Sequence, residues 1–350
     1  MLEDGLIWKG IPDSAKLDVF LGNDGSPRIR WSNRSVLPAP VLSDLAIDAD
    51  EYWFADRDFA ASFADRWIVN TLADIDEYRD SLAQLDAILG EKCPIWNHPR
   101  AVALTRRDLA PKVFGGIEGL EVPRVARFAV AHTDAFREVF EREGFTYPVL
   151  VRPVSSQTGI GLVKVSSAAD WDPLEQFPSL GRIFFMTQFV DFKDERGRYV
   201  KIRVCFVDDT ISLREYGVSG GWQIGSGGAT SPSSGAGVTR SIDQLLERMR
   251  DFHNWMELRA ICGEMIRRCP LNFWGADLGV RSDRSFVFFE ANAAMTMAVP
   301  SNVPKKHLGR MEPVYKNIEQ RLRASFAKLK EGKAMPVPTL SVREMLARNP

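Results

Sequence analysis

Residues 275–292 read GADLGVRSDRSFVFFEAN, and this stretch constrains the chain more than any other, because it sets acids into two β-rich runs joined by a polar turn. Ala276, Leu278 and Val280 alternate with Asp277 and Gly279, and strict alternation puts Phe286, Phe288, Glu290 and Asn292 on one face of the second run. Ser282-Asp283-Arg284 supplies the turn. A two-residue tip at Asp283-Arg284 sets Asp277 directly opposite Glu290, so that Asp277, Glu290 and Asn292 form one patch of oxygen donors. Two carboxylates and an amide are what Mg²⁺ takes from protein, with phosphates and water completing its octahedron. Taken alone, the hairpin reads equally well as an exposed strand end with solvated acids.

Bulk charge narrows the partners. The 45 basic and 46 acidic residues give a formal net charge of -1, which argues against recruitment by nucleic acid or a membrane surface; anion binding must be local. No apolar run reaches membrane-spanning length, and the N-terminal MLEDGLIWKG lacks an uninterrupted apolar core of a signal peptide. Cys93, Cys205, Cys262 and Cys269 form no CxxC pair, which points to buried thiols in a reducing, cytoplasmic setting. With 45% hydrophobic residues over 350 positions, the chain can build two or three lobes.

Along residues 1–121 short strands at 17–20, 51–54, 67–70 and 94–97 alternate with a helix over 77–89, an α/β pattern. No Gly-x-Gly-x-x-Gly opens a helix there, so dinucleotide binding has no support. From Val122 an extended segment and a helix over 133–143 lead to the strand around Val149-Leu150-Val151-Arg152. The loop Ser155-Ser156-Gln157-Thr158-Gly159-Ile160-Gly161 then runs straight into Leu162-Val163-Lys164-Val165. Free N–H groups and hydroxyls in such a loop can cradle phosphate oxygens, although a glycine-softened surface hairpin has the same composition. Over 199–207 the alternation is clean: Lys201, Arg203 and Cys205 share one face, with an aromatic at each end of the run, which suggests a cleft wall. Residues 219–237 are mostly Gly, Ser and Ala and cannot pack a core. A capping box at Ser241 and Gln244 opens a helix whose stripe of Leu245, Met249, Phe252 and Met256 continues to Ile261 and Met265, with the methionines in the core. A final helix spaces Tyr315, Ile318, Leu322, Phe326 and Leu329, and residues 334–350 read as a loosely held tail.

Three of these segments, in this order, resemble the ATP-grasp superfamily of carboxylate-amine ligases. YPVLVRPVSSQTGIGLVKV looks like its nucleotide flap, FMTQFVDFKDERGRYVKIRVCFV like its hinge and basic strand, and GADLGVRSDRSFVFFEANAAM like its metal hairpin. The likeness spans 122–330 well and the N-terminal part in outline, and it is closest to ligases that modify peptides or amino acids. It implies an α/β protein of ATP-grasp fold: a pre-ATP-grasp lobe (1–121), a small lobe with the flap (122–190), a large lobe with the metal hairpin (191–333) and a tail (334–350).

The resemblance also implies roles. Arg152 stands where the flap lysine contacts phosphate and adenine, and Arg127 or Arg124 where an earlier lysine often sits; arginine keeps the charge with a different geometry. Ser155, Ser156, Thr158, Gly159 and Gly161 would cover the phosphates, Gln188, Phe189 and Val190 would form the adenine hinge, and Asp194 or Glu195 would reach the ribose. Lys201 and Arg203 match the basic strand, with Arg203 holding the acyl phosphate, while Asp277, Glu290 and Asn292 would bind Mg²⁺ with Arg203 and Arg152 facing them across the cleft. Arg214 would meet a substrate carboxylate, and the 219–237 loop would close over the acceptor. ATP and Mg²⁺ are the implied cofactors. The partners would be small-molecule or peptide carboxylates and amines, with no nucleic acid and no membrane, and a homodimer is left open. A kinase of the same fold and a non-catalytic nucleotide binder are the alternatives. No protein nucleophile is needed, in keeping with four histidines that lie outside all three motifs. Glu290→Gln or Asp277→Asn is expected to abolish turnover with the fold intact.

Overall fold

The computed structural model describes residues 5–14, 18–21, 26–30, 37–47, 49–53, 66–89, 93–132, 134–154, 161–175, 179–224, 247–249, 251–295 and 305–348. The flap residues Ser155, Ser156, Thr158 and Gly159, the 225–237 part of the Gly/Ser loop and the capping box at Ser241 lie outside them.

Three sheets position the site. The first is all parallel, in the order β4-β1-β5-β6, with β1 Gly5–Lys9, β4 Ala49–Trp53, β5 Trp67–Asn70 and β6 Ile95–Trp96. Leu6, Ile7 and Trp8 on β1 and Trp67, Ile68 and Val69 on β5 are all buried, the continuous apolar run of a parallel sheet covered on both faces. Strand β1 is an addition to the sequence reading, where LIWK was too short a run to register. Strands β2 Asp18–Leu21 and β3 Pro27–Arg30 pair separately as a hairpin.

The second sheet is antiparallel, ordered β10-β9-β11-β8, from β8 Val125–Ala129, β9 Val149–Pro153, β10 Val163–Val165 and β11 Ile183–Gln188. Helices Ala135–Arg142 and Asp172–Glu175 cover one face, where Phe128, Phe136, Val151, Trp171 and Phe184 pack together. Its other face, with Leu150 and Arg152, opens on a cleft.

The third sheet runs β13-β12-β14-β15-β7, from β7 Leu120–Glu121, β12 Tyr199–Val207, β13 Thr210–Ser219, β14 Phe273–Val280 and β15 Phe286–Asn292. Ile202, Val204, Phe206, Trp274, Ala276 and Leu278 turn one face toward helix Met256–Arg268, in a core that also holds Leu6, Trp8 and Ile68 of the first sheet. First and third sheets are thus joined by one body of apolar side chains.

The hairpin tip differs from expectation in an instructive way. The loop has three residues, closed by Arg281 N–H donating to Ser285 O at 3.0 Å with Arg284 at φ 67, so the strands near the tip pair one residue out of the expected register. An extra residue in β15, between Phe288 and Glu290, restores it, and Asp277 stands opposite Glu290 after all. The bulge also re-aims the side chains: Phe286 and Phe288 enter the core, while Glu290 and Asn292 line the cleft. Strict alternation would have put both polar groups under the phenylalanines.

Two helical readings are corrected. The stripe through Met256 is broken, because a 3-10 turn at Phe252–Asn254 precedes the helix Met256–Arg268, and Met256 is 64% exposed. The tail is not loose: Ser341 caps helix Val342–Ala347 in a reciprocal capping box with Glu344, and Val342, Met345 and Leu346 are buried against the first sheet's helices. Val342 N–H also donates to Asp86 at 2.9 Å. The final long helix, Lys305–Lys330, buries Tyr315, Ile318, Leu322, Phe326 and Leu329 as the spacing predicts. All four cysteines are buried. Among the described residues no helix is long and apolar enough to cross a membrane.

Candidate active site

Between the second and third sheets lies a cavity of about 300 Å³. Its apolar walls include Leu150 and Leu162 from one sheet, Val287 and Phe289 from the other, and Phe189 and Trp222 at the edge. Lys164 Nζ stands 3.6 Å from the Phe189 ring centroid and 5.5 Å from that of Trp222, whose ring meets Phe189 edge to face. These three side chains tie the small sheet to the first turn of the Gly/Ser segment. Gln188, Phe189 and Val190 all line the cavity. The Gln188 side chain is spent locally, accepting from Thr146 N–H and donating to the Thr146 and Pro148 carbonyls.

The polar floor is built on adjacent strands. Register places Arg203 of β12 directly beside Asp277 of β14, and the guanidinium grips the carboxylate twice, at 2.6 and 2.8 Å. Lys201 Nζ lies 2.7 Å from the same carboxylate and donates to Ile224 O at 3.1 Å. Arg203 is therefore in the same sheet as the acids and not across the cleft; of the two arginines, Arg152 faces from the other side. Burial alone would raise Asp277, but Lys201 and Arg203 hold it well below the usual carboxylate range, and Asp277 in turn keeps Arg203 raised despite its burial.

Glu290 meets a residue that sequence reasoning missed. Arg107, at the start of the 3-10 turn Arg107–Leu109, pairs with Glu290 and donates to Phe289 O at 2.8 Å, so the bulge carbonyl and the acid are held together. Against the effect of burial, Arg107 with help from Arg152 and Arg203 lowers Glu290. Burial and the like charge of Arg107 bring Arg152 down to about 10, so it stays a cation at neutral pH. Asn292 Oδ1 accepts from Ala294 N–H at 2.7 Å.

Other candidates stand apart. Arg127 pairs with Asp76 at 3.2 Å, and Arg124 lies over the Phe145 ring and donates to the carbonyls of Glu143 and Gly144; neither lines the cavity. Asp194 closes the turn to Arg198, accepting from its N–H and its guanidinium, and the exposed Glu195 sits in that same turn. Arg214 occupies a bulge opposite Arg203 and lies over the Tyr315 ring, 5.2 Å from its centroid, outside the cavity lining. Gly161 is at φ +68, where a side chain would come within 3.1 Å of Pro153. Trp222 carried a readable signal, a large aromatic in a run of small residues. Arg107 carried none, because nothing in its local pattern links it to a glutamate 183 residues away.

Asp277, Glu290 and Asn292 offer a hard divalent cation the right atoms. They do so among Lys201, Arg203, Arg107 and Arg152, more positive charge than these two carboxylates and Glu215, 3.9 Å from Arg203, balance. A metal arriving with a polyphosphate fits, because the anion satisfies both the metal and the surplus side-chain charge.

The fold is the ATP-grasp fold. The chain superposes on the D-alanine–D-alanine ligase from Bacillus anthracis with a TM-score of 0.51 and 9% identity, over 94% of this chain and 98% of that one. The VanG D-Ala:D-Ser ligase from Enterococcus faecalis gives 0.48 at 16% identity, covering 74% and 72%. The ATP-grasp ligase PsnB, complexed with a minimal precursor, gives 0.45 at 14%, covering 92% and 99%. The assignment rests on the first of these, and at such identities it is the fold that is shared. No family model and no curated protein matches the sequence.

Proposed function

We propose that the protein is an ATP- and Mg²⁺-dependent ligase that joins a carboxylate to an amine through an acyl phosphate, releasing ADP and phosphate. The observation that carries this reading is the pairing, in one cavity, of an apolar slot at the hinge with a floor where Asp277, Glu290 and Asn292 sit among four cationic side chains. Leu150, Leu162 and Phe189 would enclose the adenine. The N–H groups of Gln188 and Phe189 are already bonded to the carbonyls of Arg124 and Pro148, so the hinge donor for the base would be Val190. Arg152, Arg107 and Lys201 would hold the phosphates, and Arg203, fixed by Asp277, would present a donor to the acyl phosphate and to the oxyanion formed on attack. Mg²⁺, held by Asp277, Glu290 and Asn292, would supply charge neutralisation at the phosphates. Trp222 and the segment after it would shield the acyl phosphate from water. The buried thiols suit a cytoplasmic enzyme.

Incubation with ATP, Mg²⁺ and pooled carboxylates, with hydroxylamine as acceptor, tests this. Hydroxamate and ADP in equal amounts are expected. A stable phosphorylated product would instead make the protein a kinase, and neither ADP nor product would leave it a binder.

A further inference from the structure

A second cavity opens behind the phosphate floor. It has a volume of about 70 Å³ and shares Arg107, Arg152, Glu290 and Asn292 with the first cavity, so the two meet at the acids. Its far wall is the loop after β5, carrying Asp74 and Asp76, and its side wall is Thr105 and Arg106. At about 10–15 Å³ of such space per water, the chamber takes a few waters or a small polar head group.

Most charges in this chamber are already matched. Arg106 grips Asp108 twice at 2.7 Å, Asp76 pairs with Arg127, and Arg107 pairs with Glu290. Asp74 differs: its carboxylate accepts from Asp76 N–H at 2.8 Å and from the backbone of Glu77, and no cation pairs with it among the described residues. The loop that carries it is fixed, with Asn70 bonded to Asn97 O and Leu72 N–H and Thr71 bonded to Trp8 O. A half-buried carboxylate is therefore held by its own turn beside the phosphate floor, in the lining of a space that admits a small polar head group.

We propose that this chamber is the acceptor subsite, that the acceptor is a primary amine entering as its ammonium ion, and that Asp74 receives that ion and takes its proton. The proposal rests on the ligase reading and adds the amine's chemical class and its partner. In the step, Asp74 accepts one proton from R–NH₃⁺. The freed nitrogen lone pair attacks the acyl carbon, the carbon–oxygen bond to phosphate breaks with its electrons, and the second amine proton leaves with hydrogen phosphate. Burial and then the charges of Asp76 and Glu77 raise Asp74 to about 7, which suits a proton acceptor at neutral pH. The other charged groups around it are Arg152 across the chamber, and Arg106, Arg107 and Glu290 along its walls.

The test compares two acceptors in one assay, because hydroxylamine is largely uncharged at neutral pH and primary alkylamines are not. Wild type and Asp74→Asn are each given ATP, Mg²⁺, pooled carboxylates and either hydroxylamine or a pool of amino-acid amides. Asparagine can still accept from Asp76 N–H, which preserves the loop. The expected result is a fall of about 100-fold in the amide-to-hydroxamate ratio in Asp74→Asn, partly restored in Asp74→Glu. An unchanged ratio would overturn the proposal, as would a wild type that makes hydroxamate but accepts no amine. A wild type that makes no hydroxamate and no ADP would bring down the ligase reading itself, and the subsite with it.

Discussion

Asp277 is 3% exposed and neutralises both Lys201 and Arg203. Asp277→Asn would leave Lys201 without a carboxylate and Arg203 with only the longer contact to Glu215 at 3.9 Å, at a cost of about 3–5 kcal/mol, so the expectation of an intact fold does not carry over to it. The Asp277 contribution is present above the unfolded carboxylate range and is lost as pH falls below about 4. The Glu290 side chain is 27% exposed and Arg107 keeps its second bond to Phe289 O. Glu290→Gln should therefore lower turnover by about 100- to 1000-fold, while urea unfolding shows a stability change within about 1 kcal/mol. Asp74 has the opposite linkage. Its folded value near 7 exceeds the unfolded one of 3.8, so the folded state binds more protons between them and stability falls as pH rises through that window. Asp74→Asn should be more stable than wild type at pH 8 by on the order of 2 kcal/mol, allowing for its partial exposure, and no more stable at pH 4. Parallel melts at both pH values check this. Lys201, Arg203 and Asp277 were legible because a period of two fixes which side chains of β12 and β14 share a face. Asp74 and Arg107 were not, since only tertiary packing brings a loop after β5 and a 3-10 turn to the hairpin.

At the scale of elements, the hairpin was legible in its ends and illegible in its middle. Sequence fixed no tip length, and a three-residue loop together with one extra residue in β15 gives the same Asp277–Glu290 pairing as a two-residue loop without a bulge. Only the arrangement with the bulge turns Glu290 into the cleft. Gly279 is part of this device: a Cβ there would lie 2.7 Å from Phe289 Cζ and 2.9 Å from Phe192 Cδ2. Gly279→Ala should push Phe289 out of the cavity wall, costing about 1–3 kcal/mol in stability and weakening ATP binding roughly tenfold, as one lost apolar contact would. Calorimetric titration of ATP into the variant reads the second effect directly. Unchanged affinity would detach Phe289 from the nucleotide wall.

For the whole molecule, the short C-terminal helix matters more than its composition suggested. Pro and Arg around it masked a three-residue apolar face, Val342, Met345 and Leu346, that sits on the first sheet's helices. Ending the chain at Thr339 should lower stability by roughly 4 kcal/mol, from three exposed apolar side chains, with a lowered Tm in a thermal melt. The first and third sheets share one core, so that loss should propagate to the floor of the cavity on the third sheet. The central claim is that the cleft between the second and third sheets holds a nucleotide together with its metal on Glu290, with surplus positive charge excluding the metal alone. It is tested most directly by calorimetry of Mg²⁺ and ATP, separately and together, on wild type and Glu290→Gln. The account predicts no heat from Mg²⁺ alone, binding of ATP that tightens at least about tenfold with Mg²⁺, and loss of that gain in Glu290→Gln. Mg²⁺ binding without nucleotide, or an Mg²⁺ effect that survives the substitution, would contradict it.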